Sequence, residues 1–270
     1  MKVLAVETAT SWQSVTIIDE QCIVARRDQE AGGSHSSLLL PTIDDLFNES
    51  GLSLNHLDGL VVSIGPGSFT GLRVGLATML GFRTITGLPL TAVPTLEGLA
   101  WNLRGASTPL CPVLTSRRGE VYWAVFRWVT DDLVERMIPE QVGPPAMLGG
   151  MLTAPTVMMG NGWEAEEAVI RTGLSRPVKL ISAPAQAMKP SAVSIGLAGM
   201  QRLRRGETVG LGVSPLYIQR SEAEVKYEQS GGMSPIARRH ARVAKKLKAR
   251  LDRVRTSALR RRAPTKRNNT

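Results

Sequence analysis

The chain has 270 residues, of which 43% are hydrophobic and 21% charged. This is length enough for one large or two small domains, and the balance excludes wholesale disorder, a collagen-like chain and a disulfide-stapled miniature. The net charge of +10 is unevenly spread: residues 231–270 carry 14 Lys and Arg against the single acid Asp252, a net +13, while residues 1–230 carry 19 against 22, a net −3. The basic character therefore belongs to the last 40 residues, and the fold is carried by the first 230.

The opening apolar run stops at Glu7, far short of a secretion-signal core. Residues 2–6, 14–18 and 23–27 are short β-branched runs between polar turns and predict a three-stranded meander. After Gly32-Gly33 the period changes. Ser34 is a candidate N-cap for a helix carrying Leu38, Leu39, Ile43, Leu46 and Phe47, stopped near Gly51. A strand over 60–64, the turn GPGSFTG, a helix over 72–86, a strand over 90–93 and a helix from Thr95 towards Leu103 follow. A second pass has strands over 110–115, 120–128 and 133–139, a helical stretch near Met147 and a strand over 156–159. It then has a helix over 163–172, a short strand at 180–181 and a helix over 191–205. The order βββαβαβα thus occurs twice without a residue-level repeat, which predicts α/β lobes with mixed sheets that frame a cleft.

Cys22 and Cys111 have no neighbouring Cys or His at metal spacing, so both read as core or half-buried thiols of a reducing, cytoplasmic compartment. The uncharged stretch 142–163 is long enough to span a bilayer, but Pro144, Pro145, Pro155 and five glycines interrupt it, so no membrane span is expected.

The segment Ile64 to Ala77 is a strand exit, a glycine turn and a helix start, the setting of an anion site. It matches neither the P-loop, because Leu72-Arg73 follow Gly71, nor the dinucleotide fingerprint, because it has one residue too many and holds Pro66. Tight packing is the other reading. Gly71 and Gly75, four apart on one helical face, would let another helix approach.

GPGSFTGLRVG, the opening VLAVETAT, HSSLLLP from His35, AVPTLEGLA from Ala92, RRGEVYWAVF from Arg117 and PLYIQRSEAE from Pro215 occur in order from Met1 to about Lys226. Together they resemble the bacterial TsaB (YeaZ) family. The resemblance implies an actin/Hsp70/sugar-kinase-like (ASKHA) fold with two βββαβα lobes over residues 1–105 and 106–230, followed by a basic extension, helical or disordered, over 231–270. It implies a non-catalytic scaffold that pairs with a TsaD-like protein. With a TsaE-like ATPase, that pair supports N6-threonylcarbamoylation of adenosine 37 in tRNAs reading ANN codons. ATP and metal are expected on those partners, and no cofactor on this chain. The resemblance places the partner surface on two helices, over roughly 34–48 and 70–86. The residues implied are His35, Leu38, Leu39, Ile43, Thr70, Gly71, Arg73, Val74, Gly75 and Ala77, and a homodimer is an option for the free chain.

TsaD-like relatives hold a metal with two histidines four apart, at a place that resembles VPTLEGLA, where this chain has Thr95 and Leu99. No metal site is expected. For ATP phosphotransfer in this fold, Glu7 stands at the first acidic position and Thr115-Ser116 at the second, so one carboxylate anchor is missing. Arg117, Arg118 and Glu120 read as solvated turn charges beside Gly119. His35 has no neighbouring nucleophile and no G-x-S-x-G elbow accompanies it, which speaks against peptidase chemistry. Trp101, Trp123, Trp128 and Trp163 read as core or interface residues.

In the extension, Ser234-Pro235 can open a helix with the thin apolar stripe Ala237, Ala244, Leu247, Leu251, Val254 and Ala258. Its cations, among them Arg238, Arg239, Arg242, Lys245, Lys246, Lys248 and Arg250, suit RNA phosphates. A solubilising tail and an anionic membrane surface are the other readings. Two alternatives to the scaffold are an ATP-dependent small-molecule kinase of the same fold and a general RNA-binding protein acting through the tail.

Overall fold

The computed structural model describes residues 1–117 and 119–219. The basic extension, with its apolar stripe and its seven named cations, lies outside the described residues.

The chain opens with β1 (Val3–Glu7), β2 (Trp12–Ile18), β3 (Ile23–Glu30), α1 (His35–Ser50), β4 (Gly59–Ser63), α2 (Phe69–Thr86), β5 (Leu90–Val93) and α3 (Thr95–Ala100). The same order returns in β6 (Leu110–Thr115), β7 (Val121–Thr130), β8 (Leu133–Gly143), α4 (Pro145–Met151), β9 (Thr156–Met159), α5 (Asn161–Thr172), β10 (Leu180–Ser182) and α6 (Ala192–Arg204). The sheets run β3-β2-β1-β4-β5 and β8-β7-β6-β9-β10. In each, the first three strands are antiparallel and the last two join in parallel, so the second sheet repeats the first strand for strand. The result is a duplicated α/β architecture with mixed sheets, as the doubled element order predicts.

The period of two decides what each strand touches. In the first sheet Leu4, Val6, Val15, Ile17, Leu60 and Val62 face α1 and α2, where Leu39, Ile43, Leu46, Leu76 and Met79 close one core. The alternate residues Val3, Ala5, Ile18 and Val61 face the opposite way, into a second core shared with Ile195 and Ala198 of α6. Because both faces are covered, β1 and β4 are buried along their whole length and read as continuous apolar runs.

The last helix of each half crosses over. α6 lies on β1, β2, β4 and β5 of the first sheet, and α3 lies on β6 and β7 of the second. Glycines permit this close approach: a Cβ on Gly196 would come within 2.7 Å of Ile18 Cδ1, and Cβ atoms on Gly199 and Gly98 would overlap Val61 and Ile195. Residues Met1–Gln219 therefore form one compact unit around a shared core.

Several element ends differ from expectation. β3 continues to Glu30 although its last residues are polar, because it is an edge strand whose pairing with β2 runs to Trp12↔Glu30. β8 passes through Pro139, tolerable on the outer strand of its sheet where no ladder bond is lost. α2 begins three residues early, at Phe69, because Ser68 caps it by accepting the Gly71 N–H. Cys22 is exposed, contrary to the core or half-buried reading, while Cys111 is buried and burial pushes its thiol pKa up. Trp123 and Trp163 are buried, and Trp101 meets Trp128 edge-on with centroids 4.9 Å apart. No helix among the described residues is long and apolar enough to cross a membrane.

Candidate functional site

The glycine turn after β4 packs down on the turn after β1. Ser68 N–H donates to the Ala9 carbonyl (2.6 Å), and a Cβ on Gly67 would overlap that same carbonyl. Thr95, at the first of the two places where the resemblance implied histidine in relatives, closes the turn from the other side. Its Oγ1 accepts the Gly65 N–H (3.1 Å) and its N–H donates to the Gly65 carbonyl (2.8 Å). Leu99, at the second place, is fully buried in the shared core. The amides of Gly65, Ser68 and Gly71 are thus spent inside the protein, on Thr95 Oγ1, the Ala9 carbonyl and Ser68 Oγ, and close packing accounts for Gly67.

The same holds for Gly71 and Gly75. A Cβ at Gly71 would overlap the Thr8 carbonyl and one at Gly75 the Thr8 hydroxyl, while Thr8 Oγ1 donates to the Gly71 carbonyl (2.9 Å). The neighbour both glycines admit is the turn after β1, and Gly71 also admits the first residue of α1, since a Cβ there would come within 3.1 Å of the His35 ring.

Glu7 ends β1 fully buried. Its Oε1 accepts the Ala9 N–H (2.5 Å), and Oε2 has no hydrogen-bond partner among the described residues. Burial pushes its carboxyl up to about 7, against the opposing pull of the Ala9 and Thr8 amides and the Ser63 hydroxyl.

The ten residues implied as partner contacts divide by burial. His35, Leu39, Ile43, Gly71 and Gly75 point inward. His35 Nε2 lies 2.8 Å from the Thr10 carbonyl and Nδ1 3.4 Å from Gln13 Oε1, so this side chain fastens α1 to the β1–β2 turn and is not available to a partner. Thr70, Arg73 and Ala77 are exposed, and Leu38 and Val74 half-buried. What spacing alone did not single out is a groove of about 810 Å³ between α1 and α2, lined by Leu40, Asp44, Phe47, Leu54, Phe82 and Ile85 among others. Leu40 is 54% and Ile85 82% exposed. Their apolar character is visible in the sequence, but only the packing of α1 beside α2 sets them facing one trough.

Residues after α6 also form a strap. Val209 N–H donates to the Leu90 carbonyl, Leu216 N–H to the Ile64 carbonyl (2.7 Å), and the Tyr217 hydroxyl accepts from Arg73 Nε (2.9 Å). The strap ends at Gln219, whose Oε1 accepts from Ser116 Oγ (2.9 Å), Arg117 Nε (3.2 Å) and the Tyr122 hydroxyl (3.1 Å), and whose Nε2 donates to Glu120. The described turn charges Arg117 and Glu120 are therefore partners of Gln219 and of each other (3.6 Å), where solvated charges were expected. Ser116, at the missing second acidic position, belongs to the same cluster. Among the described residues no group of three or more His, Cys, Asp or Glu side chains could hold a metal ion.

Residues 27–227 match the family model described as TsaD: tRNA N6-adenosine threonylcarbamoyltransferase. The tRNA threonylcarbamoyladenosine biosynthesis protein TsaB of Escherichia coli K12 is 28% identical over 233 residues, covering 83% of this chain and 96% of that protein. Its namesake in Bacillus subtilis 168 is 26% identical over 85% of this chain and 99% of that protein. Among solved structures, YeaZ from Pseudomonas aeruginosa superposes with a TM-score of 0.69 at 26% identity, covering 80% of this chain and 99% of that one. The chain belongs to the family that this model describes, and within it stands with the TsaB (YeaZ) proteins.

Proposed function

We propose that the chain acts in tRNA threonylcarbamoyladenosine biosynthesis as a non-catalytic scaffold. It pairs with a TsaD-like protein, works beside a TsaE-like ATPase in the cytoplasm, and supports N6-threonylcarbamoylation of adenosine 37. The names of its relatives support the pathway. The observation that carries the scaffold reading is the apolar groove between α1 and α2, with Ile85 and Leu40 exposed at its rim. Exposed aliphatic side chains beside half-buried Phe47 and Phe82 suit helices of a protein partner, with Asp44, Asn48 and Asn55 as polar groups of the same trough. The partner contacts are then among the outward residues of the two helices, Leu38, Leu40, Thr70, Arg73, Val74, Ala77 and Ile85, with the groove residues Leu40 and Ile85 at their centre. The five inward residues act behind them as support. ATP and metal are assigned to the partners.

Co-expression with the cognate TsaD-like protein tests this reading. The two should co-purify, and Ile85→Glu with Leu40→Glu should abolish the complex while the unfolding temperature stays within a few degrees of wild type. A complex that survives both changes would remove the groove from the interface.

A further inference from the structure

Three segments distinguished by their sequence, GPGSFTGLRVG, RRGEVYWAVF and PLYIQ, meet at one corner, joined by the strap that ends in the Gln219 cluster. At that corner the Tyr217 ring lies over Phe69 in a tilted, offset stack, with ring centroids 5.0 Å apart and planes inclined by 31°. Arg73 lays its guanidinium over the Phe69 ring at 3.7 Å and donates Nε–H to the Tyr217 hydroxyl. Phe69 is 36% and Tyr217 41% exposed, so the pair serves no core. Among the described residues no carboxylate pairs with Arg73, and its two Nη groups remain for a ligand. From Tyr217 the chain runs through Gln219 towards residues 231–270 with their net +13.

Resting on the reading of the chain as part of a tRNA-modifying assembly, we propose that Phe69, Arg73 and Tyr217 form a platform in which Phe69 and Arg73 brace the Tyr217 ring and an unpaired base of RNA stacks on the exposed side of that ring. Gln219 is its positioning residue, fixing the strap that carries Tyr217. Every base has a π face, so stacking on exposed aromatics is tolerant of sequence, and a guanidinium with free Nη groups adds a phosphate contact. A duplex offers phosphates but no unstacked base, so the platform adds preference for single strands to the charge attraction of the extension.

The test is binding of a labelled single-stranded oligoribonucleotide, and of a duplex of equal length, to the full chain at two salt concentrations. Tyr217→Ala should weaken single-strand binding about tenfold. Duplex binding and the salt dependence should stay as in wild type, because the cations of the extension remain. Tyr217→Phe keeps the ring and should stay near wild type, and Gln219→Ala should fall between wild type and Tyr217→Ala. Equal losses on single strand and duplex, no loss, or no single-strand binding by the wild type each overturn the platform. A Tyr217→Ala chain that keeps its RNA affinity and loses the TsaD-like protein assigns the cluster to protein contact and overturns it too. Failure of the wild type to co-purify with the TsaD-like protein would instead sink the scaffold reading and leave the RNA measurements standing.

Discussion

Glu7 at the end of β1 and Ser63 at the end of β4 lie side by side on neighbouring parallel strands, both fully buried. The Ser63 hydroxyl steadies the carboxylate without reaching full hydrogen-bond geometry, and Glu7 Oε2 is left unpartnered among the described residues. A carboxyl so placed prefers to be neutral.

Glu7 therefore makes stability depend on pH. Its carboxyl titrates at 4.5 when unfolded and at about 7 when folded, so the native state binds more protons in between. Its contribution is fully present below about pH 4.5 and is lost as pH rises through about 7, a span worth about 3 kcal/mol. Glu7→Gln removes this dependence. The stability difference between wild type and Glu7→Gln, from denaturant unfolding at pH 5 and pH 8, should shift in favour of the variant at the higher pH. A difference that is flat across this range would show that the carboxyl stays charged in the fold.

Gly71 and Gly75 yield a second prediction. Because both glycines face Thr8, substitution acts on the fold of the chain itself. Gly75→Leu should destabilise the isolated chain by about 1–3 kcal/mol or more. Gly71→Ala should be costly even with a single added carbon, because the atom it meets is the Thr8 backbone carbonyl, which has less freedom to move than the Thr8 hydroxyl opposite Gly75. Wild-type melting temperatures for both would mean that the β1–β2 turn can retreat.

The doubled element order was legible because alternation in the strands and helical spacing in α1, α2 and α6 each reflect a buried face that the sequence must supply. The spacing of Gly71 and Gly75 was equally visible, yet it says only that something comes close. That the neighbour is Thr8, 63 residues away from Gly71, depends on β1 and β4 pairing in parallel. The Gln219 cluster left less trace still. Ser116, Arg117, Glu120 and Tyr122 sit about 100 residues from Gln219, and no local pattern marks residues that a crossing strap will bring together. The crossing of α3 and α6 between the sheets escaped for the same reason, since an apolar helix face does not say which sheet it will cover.

The two cysteines should separate cleanly. Cys22 is exposed, while Cys111 is buried in the shared core with its thiol pKa pushed up by burial. A chromogenic disulfide reagent should titrate one thiol per native chain, and two in denaturant. Desolvation and then the Asp19 carboxylate raise the Cys22 thiol as well, so the native reaction should be slow at pH 7 and quicken as pH rises. Two reactive thiols in the native protein would contradict the packing of β6.

Glu97 supplies the last prediction. It sits on α3, 7% exposed, and both carboxylate oxygens accept from Arg202 Nη2 on α6 at 2.8 Å. Arg136 on β8 reaches Oε2 at 3.3 Å and Glu140 at 3.2 Å. One carboxylate thus ties the two crossing helices to the outer strand of the second sheet. Glu97→Ala would leave Arg202 facing a vacated pocket, with its Nε already without a hydrogen-bond partner among the described residues. Losing one partner of a buried ion pair costs about 3–5 kcal/mol, and the partial exposure of both arginines lowers the expected loss to about 2–3 kcal/mol. Glu97→Gln keeps the shape and one acceptor oxygen and should cost less. Arg136→Ala should cost least, because the Arg202 contacts remain. Chemical denaturation of the three variants gives the order directly. If Arg136→Ala proved as damaging as Glu97→Ala, the tie would run mainly through β8, and the α3–α6 crossing would need another explanation for its stability.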